Sequence, residues 1–318
     1  MTARISSPLR TAALLLTCAA LTAATSACGN QRDDAGGSGK PKGSTAAGPL
    51  SDRLPDAIRA TGVIRVGSDI AYPPVEFKDS AGRTVGLDVD IAQALGEQLG
   101  VEFRFENGTF DSLVSGLRAD RYDIIMSAMN DTKDRQNGVD SATGKKIGEG
   151  LDFVDYFTAG VSVYGRKQAA AGEVKGWNDL CGKTVAVQRG SVASNLLGTE
   201  SATCTKAGRP AIDIEAFDTD AEAQTRVRSN GADFGSSDFP AAAYAVKTSG
   251  GGKDLALIGE QTGALPYGIA VEKKDTRLRD ALAAALDAII ANGRYGKILD
   301  KWGSRDGAVT KAVINGGA

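Results

Sequence analysis

Residues Gly62–Arg135 read GVIRVGSDIAYPPVEFKDSAGRTVGLDVDIAQALGEQLGVEFRFENGTFDSLVSGLRADRYDIIMSAMNDTKDR. Val63–Ser68 is a short β-rich run and predicts a strand. Proline disfavours helix in its predecessor, so Tyr72-Pro73-Pro74 is extended, and Gly82 marks a turn. From Asp88, the apolar Ile91, Leu95 and Leu99 recur at four-residue spacing, an amphipathic helix closed by Gly100. Val101–Phe105 alternates as a strand. Thr109 is a candidate N-cap for a helix that buries Leu113, Val114 and Leu117. Tyr122–Met126 is the next strand. Strand, helix, strand, helix, strand is a βαβ series, from which a parallel sheet with helical crossovers follows. After the apolar Ile124–Met126 comes a small, hydroxyl- and amide-bearing turn, Ser127–Asn130, and then Arg135. The backbone N–H groups of such a turn and the planar fork of an arginine together suit a carboxylate.

Beyond this block the pattern repeats. Thr184–Gln188 is a strand ending at Gly190, and Ser191 opens a helix through Leu196 and Leu197. Ile212–Phe217 is a strand; Asp218 or Thr219 caps a helix running to about Ser229; Ala232–Phe234 is a short strand ending near Asp238. The two series are alike, which predicts two lobes of similar build. From Asp275, Leu278, Leu282, Leu286 and Ile289–Ile290 stand at helical spacing. Asn292-Gly293 ends that helix, and Tyr295, Ile298, Leu299 and Trp302 form a last amphipathic turn or two. Strand-to-loop junctions fall at Ser68–Tyr72, Ser127–Asn130, Gln188–Ser191 and Gly235–Asp238, and ligands in α/β folds bind at the carboxyl ends of strands. Asp140–Leu151 shows no periodicity and reads as an exposed loop. A tolerated surface insertion is the first reading of it; an edge of the binding cleft, or a contact with a partner, is the second.

At the N-terminus, Arg4 and Arg10 precede an apolar run from Thr11 to about Ala24, a signal peptide too short to span a bilayer permanently. The run ends at Thr25-Ser26-Ala27-Cys28, which is similar to the lipobox of a bacterial lipoprotein, with Thr25 where leucine is usual. Cleavage after residue 27 would leave Cys28 under a diacylglyceryl thioether, palmitate being the expected acyl group, and two chains give stable anchoring. The alternative is an ordinary cleavage site with Cys28 as a spare thiol. Residues 28–49 hold no aromatic or large aliphatic side chain and form a flexible tether reaching about 25 Å. No later segment is long and apolar enough to cross a bilayer.

The chain is 42% hydrophobic and 24% charged, as soluble proteins are, and the part after the tether suffices for two domains with good cores. Loss of Arg4 and Arg10 leaves 35 basic residues against 39 acidic ones, a net charge of −4, and no basic stripe points to nucleic acid. Histidine is absent, which removes His-based triads, bases and metal ligands together. No G-x-S-x-G elbow or phosphate-binding glycine loop is present. With Cys18 in the signal peptide and Cys28 lipidated, Cys181 and Cys204 remain as an even pair in an oxidising compartment, and a disulfide is expected. Two buried thiols are the alternative. Without histidine the pair is a poor zinc site, and no cofactor or metal is expected.

The order and spacing of these blocks resemble family 3 extracellular solute-binding proteins, the capture subunits of polar amino-acid ABC importers, from about Gly62 to Gly303. The resemblance implies an α/β fold of the type II periplasmic-binding-protein kind, in two lobes, each a mainly parallel sheet flanked by helices, with the ligand cleft between them. It implies crossings near Thr158–Ser162 and Leu265–Gly268. Lobe 1 is then residues 50–158 and 268–305, lobe 2 is 159–267, and 306–318 is a C-terminal tail.

The resemblance also implies roles. Arg135 matches an arginine that clamps an α-carboxylate. Ser127, Ala128 and Asn130 match the turn that offers donors, with Asn130 in place of the usual Ser or Thr and Asp131 in place of an apolar residue. Asp238, closing the G-x-D-F-x-x-x-D motif from Gly231, matches the aspartate that receives an α-ammonium; a helix N-cap is the plain alternative. Ser191 matches a helix-start donor. Asp69 and Tyr72 match positions that touch the ligand side chain and Phe110 a stacking position, the aromatics being equally suited to core. Arg189 would counter Asp69 if it turned inward. The implied function is extracytoplasmic capture of a polar or basic L-amino acid. The protein would be a non-enzymatic monomer, held by its lipid to the outer face of the bacterial cytoplasmic membrane, delivering to an ABC permease. A cyclohexadienyl-dehydratase-like enzyme, with Glu76 or Lys133 as acid or base, is the alternative.

Overall fold

The computed structural model describes residues 48–318 apart from 142, 171 and 173; the expected signal peptide, Cys28 and the tether up to residue 47 lie outside the described residues. In chain order the strands are β1 (Val63–Ser68), β2 (Phe77–Lys78), β3 (Thr84–Val85), β4 (Glu102–Asn107), β5 (Ile124–Ile125), β6 (Leu151–Arg166), β7 (Thr184–Gln188), β8 (Asp213–Phe217), β9 (Phe234–Asp238), β10 (Leu255–Glu272) and β11 (Val313–Ile314). The helices are α1 (Asp56–Thr61), α2 (Leu87–Leu99), α3 (Leu113–Arg118), α4 (Lys133–Asn137), α5 (Lys167–Ala170), α6 (Val192–Lys206), α7 (Asp220–Arg228), α8 (Phe239–Thr248), α9 (Thr276–Ala291) and α10 (Arg294–Trp302).

The expected βαβ logic holds in both halves. β1 pairs in parallel with β4 on one side and β5 on the other, while β7 pairs in parallel with β8 and β9. Between these two parallel sets run β6 and β10, a long antiparallel pair reaching from Leu151–Glu272 to Arg166–Leu255. The sheet order is therefore β4-β1-β5-β10-β6-β9-β7-β8, with β11 added along β6. The two crossings expected from the family lie inside β6 and β10, and β10 shifts register against β6 between Ile258 and Thr262, Thr262 and Leu265, and Tyr267 and Gly268.

Burial follows periodicity. α2 buries Leu87, Ile91, Leu95 and Leu99 and stops at Gly100, which adopts the left-handed conformation that closes a helix. α9 buries Leu278, Leu282, Leu286 and Ile289 in one core with Ile64, Val66, Ile91 and Leu95, so the last long helices return to the first sheet. A separate core joins Val163, Leu180, Val185, Val187, Leu197 and Ile212. Thr219 and Glu222 form a full capping box for α7, and the Ser191 hydroxyl accepts the Ser194 N–H at the start of α6. Thr109 makes no side-chain cap: Phe110–Ser112 forms a tight 3-10 turn first, and α3 begins only at Leu113. Cys181 and Cys204 are bonded, joining the turn before β7 to the last turn of α6.

Candidate functional site

The four strand-to-loop junctions converge. A narrow cavity is lined by Asp69, Tyr72, Phe110, Ser127, Ala128, Asn130, Gln188, Ser191 and Asp238. Arg135 stands against two of these residues: its guanidinium lies over the Phe110 ring, 5.5 Å from the centroid, with Nη1 donating to Asn130 O at 2.7 Å and Nη2 to Gly190 O at 3.1 Å. Those two bonds leave three of the five guanidinium N–H groups.

Asp238 and Asp69 supply the carboxylates of the lining. Asp238 is the last residue of β9, paired with Val161 of β6; it accepts the Tyr267 hydroxyl at 2.9 Å and donates its N–H to the Tyr72 hydroxyl at 3.2 Å. Its side chain caps nothing on α8, so the N-cap alternative supplies no hydrogen bond. Asp69, at the end of β1, accepts Gln188 Nε2 at 2.5 Å from the other half of the molecule. Burial pushes Asp69 up to about 6, with Glu222 and Asp111 adding to the rise and Gln188 opposing it. Burial raises Asp238 to about 6 as well, against the pull of Tyr267, Arg135 and Tyr72. Asp220, buried at the start of α7, rises to about 7 through burial and through Asp238 and Asp69, and its Oδ1 has no hydrogen-bond partner among the described residues. Burial draws the Arg135 guanidinium down to about 10, still cationic at neutral pH, while Asp238 acts to raise it. The cavity thus has two carboxyls in its lining, with Asp220 near enough to feel both and one guanidinium beside it, an arrangement that favours a cation carrying one carboxylate.

Two lining residues serve the wall from behind. The Ser127 hydroxyl donates to Glu76 Oε1 and accepts the Asp69 N–H, both at 2.9 Å. The Ala128 N–H donates to Asp88 Oδ2 at 3.1 Å, and Tyr156 donates its hydroxyl to the same carboxylate. Burial drives Glu76 well up, with Asp88 adding to it, and holds Asp88 at about 6. Arg189 turns outward to Asp218 at 3.4 Å and Asp111 at 3.9 Å, because its guanidinium is half solvated there and paired. Asp69 therefore keeps its charge unopposed by Arg189. A larger cavity, about 220 Å3, lies behind the crossings against Phe157, Phe239, Tyr244 and Trp302. Lys247 and Asp306 are the charged residues lining it, and it lacks the arginine–carboxylate pairing of the first.

A family model of bacterial extracellular solute-binding proteins, family 3, matches residues 64–305. The chain belongs to this family. Among curated relatives of this family 3 protein, the arginine-binding protein ArgT of Corynebacterium glutamicum is 31% identical over 264 residues, 82% of this chain and 81% of the relative. Among solved structures, an ancestral arginine-binding protein bound to arginine superposes with a TM-score of 0.65 at 31% identity, over 76% of this chain and 98% of that one. An ancestral amino acid-binding protein, described as a precursor of cyclohexadienyl dehydratase, gives a TM-score of 0.64 at 32% identity, over 78% and 98%. The expected two-lobed fold and the expected function class, extracytoplasmic amino-acid capture, are borne out. Sequence reading placed Gln188 at one of the four junctions without giving it a role, and gave Tyr267 none. Gln188 carried a legible signal, since it ends a strand at one of the four junctions; Tyr267 sits inside a crossing strand and carried none.

Proposed function

We propose that this family 3 protein captures L-arginine and hands it to the permease of an ABC importer. The observation that carries the ligand is the buried pair Asp69 and Asp238 lining the cavity, with a single guanidinium, Arg135, set against its Phe110 and Asn130 walls. In this reading Arg135 clamps the α-carboxylate, helped by Asn130 and the start of α6 at Ser191. Asp238 receives the α-ammonium. Asp69 takes the side-chain cation, and Tyr72 and Phe110 flank its aliphatic stem. Ser127 and Ala128 hold the wall in place through Glu76 and Asp88. The names of the arginine-binding relatives support the same ligand.

The two lobes are residues 50–158 with 268–305, and 159–267, closing on the ligand about β6 and β10. The protein works as a monomer, held by lipid on Cys28 to the outer face of the cytoplasmic membrane. It performs no chemistry. The dehydratase reading has less support, because Glu76 is spent on Ser127 behind the wall, Lys133 Nζ turns to Gln136, and neither lines the cavity.

Calorimetric titration with L-arginine tests the assignment. Arg135→Ala and Asp238→Ala should each weaken binding by about 2–5 kcal/mol, the usual result of stripping one member from a desolvated charge pair. L-citrulline, which keeps the shape and drops the charge, should bind more weakly by about tenfold or more. Equal affinity for citrulline and arginine would remove the case for a cation. Ligand recovered unchanged from the denatured complex separates binding from turnover.

A further inference from the structure

Asp131 stands where the family pattern is apolar, four residues before Arg135, and it is fully buried. Its Oδ1 accepts Gln136 Nε2 at 2.7 Å, from the helix that carries Arg135. Its Oδ2 accepts the N–H of Gly317 at 2.8 Å, a residue 186 positions away in sequence. Its own N–H donates to Pro266 O at 2.8 Å, beside the second crossing.

The chain after α10 is built to reach this point. Val313 and Ile314 pair with Asp155 and Val154 of β6. Asn315, in the left-handed region at φ 57°, accepts the Phe153 N–H at 2.8 Å and donates Nδ2 to Asp152 at 3.0 Å. The Gly316 N–H donates to Asp155 Oδ2 at 2.9 Å. Lys133, the first residue of α4, donates its N–H to Ala318 O at 3.1 Å. No side chain fits at the contact: a Cβ on Gly317 would stand 2.1 Å from the carbonyl oxygen of Asp131. On the other side of the same turn, Asn130 O accepts the Arg135 guanidinium and Thr132 Oγ1 accepts the Arg135 N–H. A continuous run of bonds therefore leads from β6 through the end of the chain to the turn that aims the guanidinium.

We propose that Asp131 and the Val313–Gly317 segment form a latch that positions Arg135. The segment contributes to ligand affinity from outside the cavity, by fixing the Asn130–Arg135 turn. The inference rests on the reading of Arg135 as the carboxylate clamp. Asp131 and Gly317 are positioning residues and touch no ligand.

The test is a double-mutant cycle in the full chain, read by calorimetry with L-arginine. Gly317→Val should weaken binding about tenfold when Arg135 is present and by less than about twofold in the Arg135→Ala background. Circular dichroism confirms folding, and if Gly317→Val does not fold, Asp131→Asn carries the same cycle. Wild-type affinity in the latch variant overturns the latch alone, provided Arg135→Ala still loses affinity. Equal losses in both backgrounds also overturn it, because the effect then does not pass through Arg135. If Arg135→Ala itself binds L-arginine as the wild type does, the clamp assignment fails and the latch fails with it.

Discussion

At the scale of single residues, the site is governed by where charge is buried. Asp69 and Asp238 are held near 6 mainly by burial, so each binds a proton over a range where an exposed aspartate does not. The groups that set this are Gln188, Glu222 and Asp111 around Asp69, and Tyr267, Arg135 and Tyr72 around Asp238. A bound cation would favour the ionised carboxylates and bring their raised pKa values back down. Protons are then released on binding below about pH 6, and the sign follows: affinity rises with pH up to roughly 6–7 and levels off above. Between pH 7 and 5, affinity for L-arginine should fall, by at most about tenfold per pH unit for each aspartate that titrates. Calorimetry in buffers of different ionisation enthalpy should show proton release at pH 5.5 and little at pH 7.5. A level affinity across that range would contradict the charge assignment. The same scale shows why Asp131 resisted interpretation from sequence. Its partner Gly317 is 186 residues away, and no local pattern announces a carboxylate whose task is to accept a distant backbone N–H.

At the scale of elements, the sequence was legible wherever local chemistry decides the outcome. β1 and β7 occupy Val63–Ser68 and Thr184–Gln188 as expected, because β-branched runs there are closed by polar or glycine-bearing turns. Thr219 caps α7 because a hydroxyl followed three residues later by Glu222 satisfies two helix-end donors at once. The reading failed at Thr109, where a tight turn precedes the helix, and it could not reach Gln188–Asp69, a contact over 119 residues. The disulfide gives an element-scale prediction. It closes a loop of about 24 residues within the second core, away from the cavity, so replacing both cysteines by alanine should cost about 3 kcal/mol of stability and leave arginine affinity unchanged. Denaturant unfolding of oxidised protein against the double variant measures it.

The loop after Arg135 gives a second prediction. Lys146 pairs back with Val139, the Arg118 guanidinium donates to the carbonyls of Ile147 and Glu149, and Ile147 is 57% exposed. None of its residues lines the cavity. Leu151 already belongs to β6 and is buried, so the excision that isolates the loop is its tip, Ser141–Gly144. Excising that tip should leave arginine affinity within about twofold of wild type, as exposed loop tips usually tolerate. Lost uptake with intact affinity would place the loop against the importer instead.

At the scale of the whole molecule, the question is what closes the cleft. Away from the crossing strands, hydrogen bonds that already bridge the halves include Gln188 to Asp69, Arg135 to Gly190, and the Asp238 N–H to Tyr72. None of them joins the two charges that matter most, Arg135 and Asp238. In the proposed reading a zwitterion would, its carboxylate meeting one and its ammonium the other, and that would be the differential affinity by which a ligand shifts an open–closed equilibrium. Moving such an equilibrium from mostly open to mostly closed takes about 5.5 kcal/mol of preference for the closed state. Two desolvated charge pairs are of that order. Saturating L-arginine should therefore reduce the radius of gyration in solution scattering. At a hundredfold excess over the dissociation constant it should also add about 2.7 kcal/mol of stability, on the order of 5–10 °C in melting temperature. Arg135→Ala, saturated at a higher arginine concentration, should bind without the full contraction, because its carboxylate end no longer pulls on the first lobe. A variant that contracts as far as wild type would show that closure is driven by the bridging bonds of the protein itself, with the ligand merely enclosed.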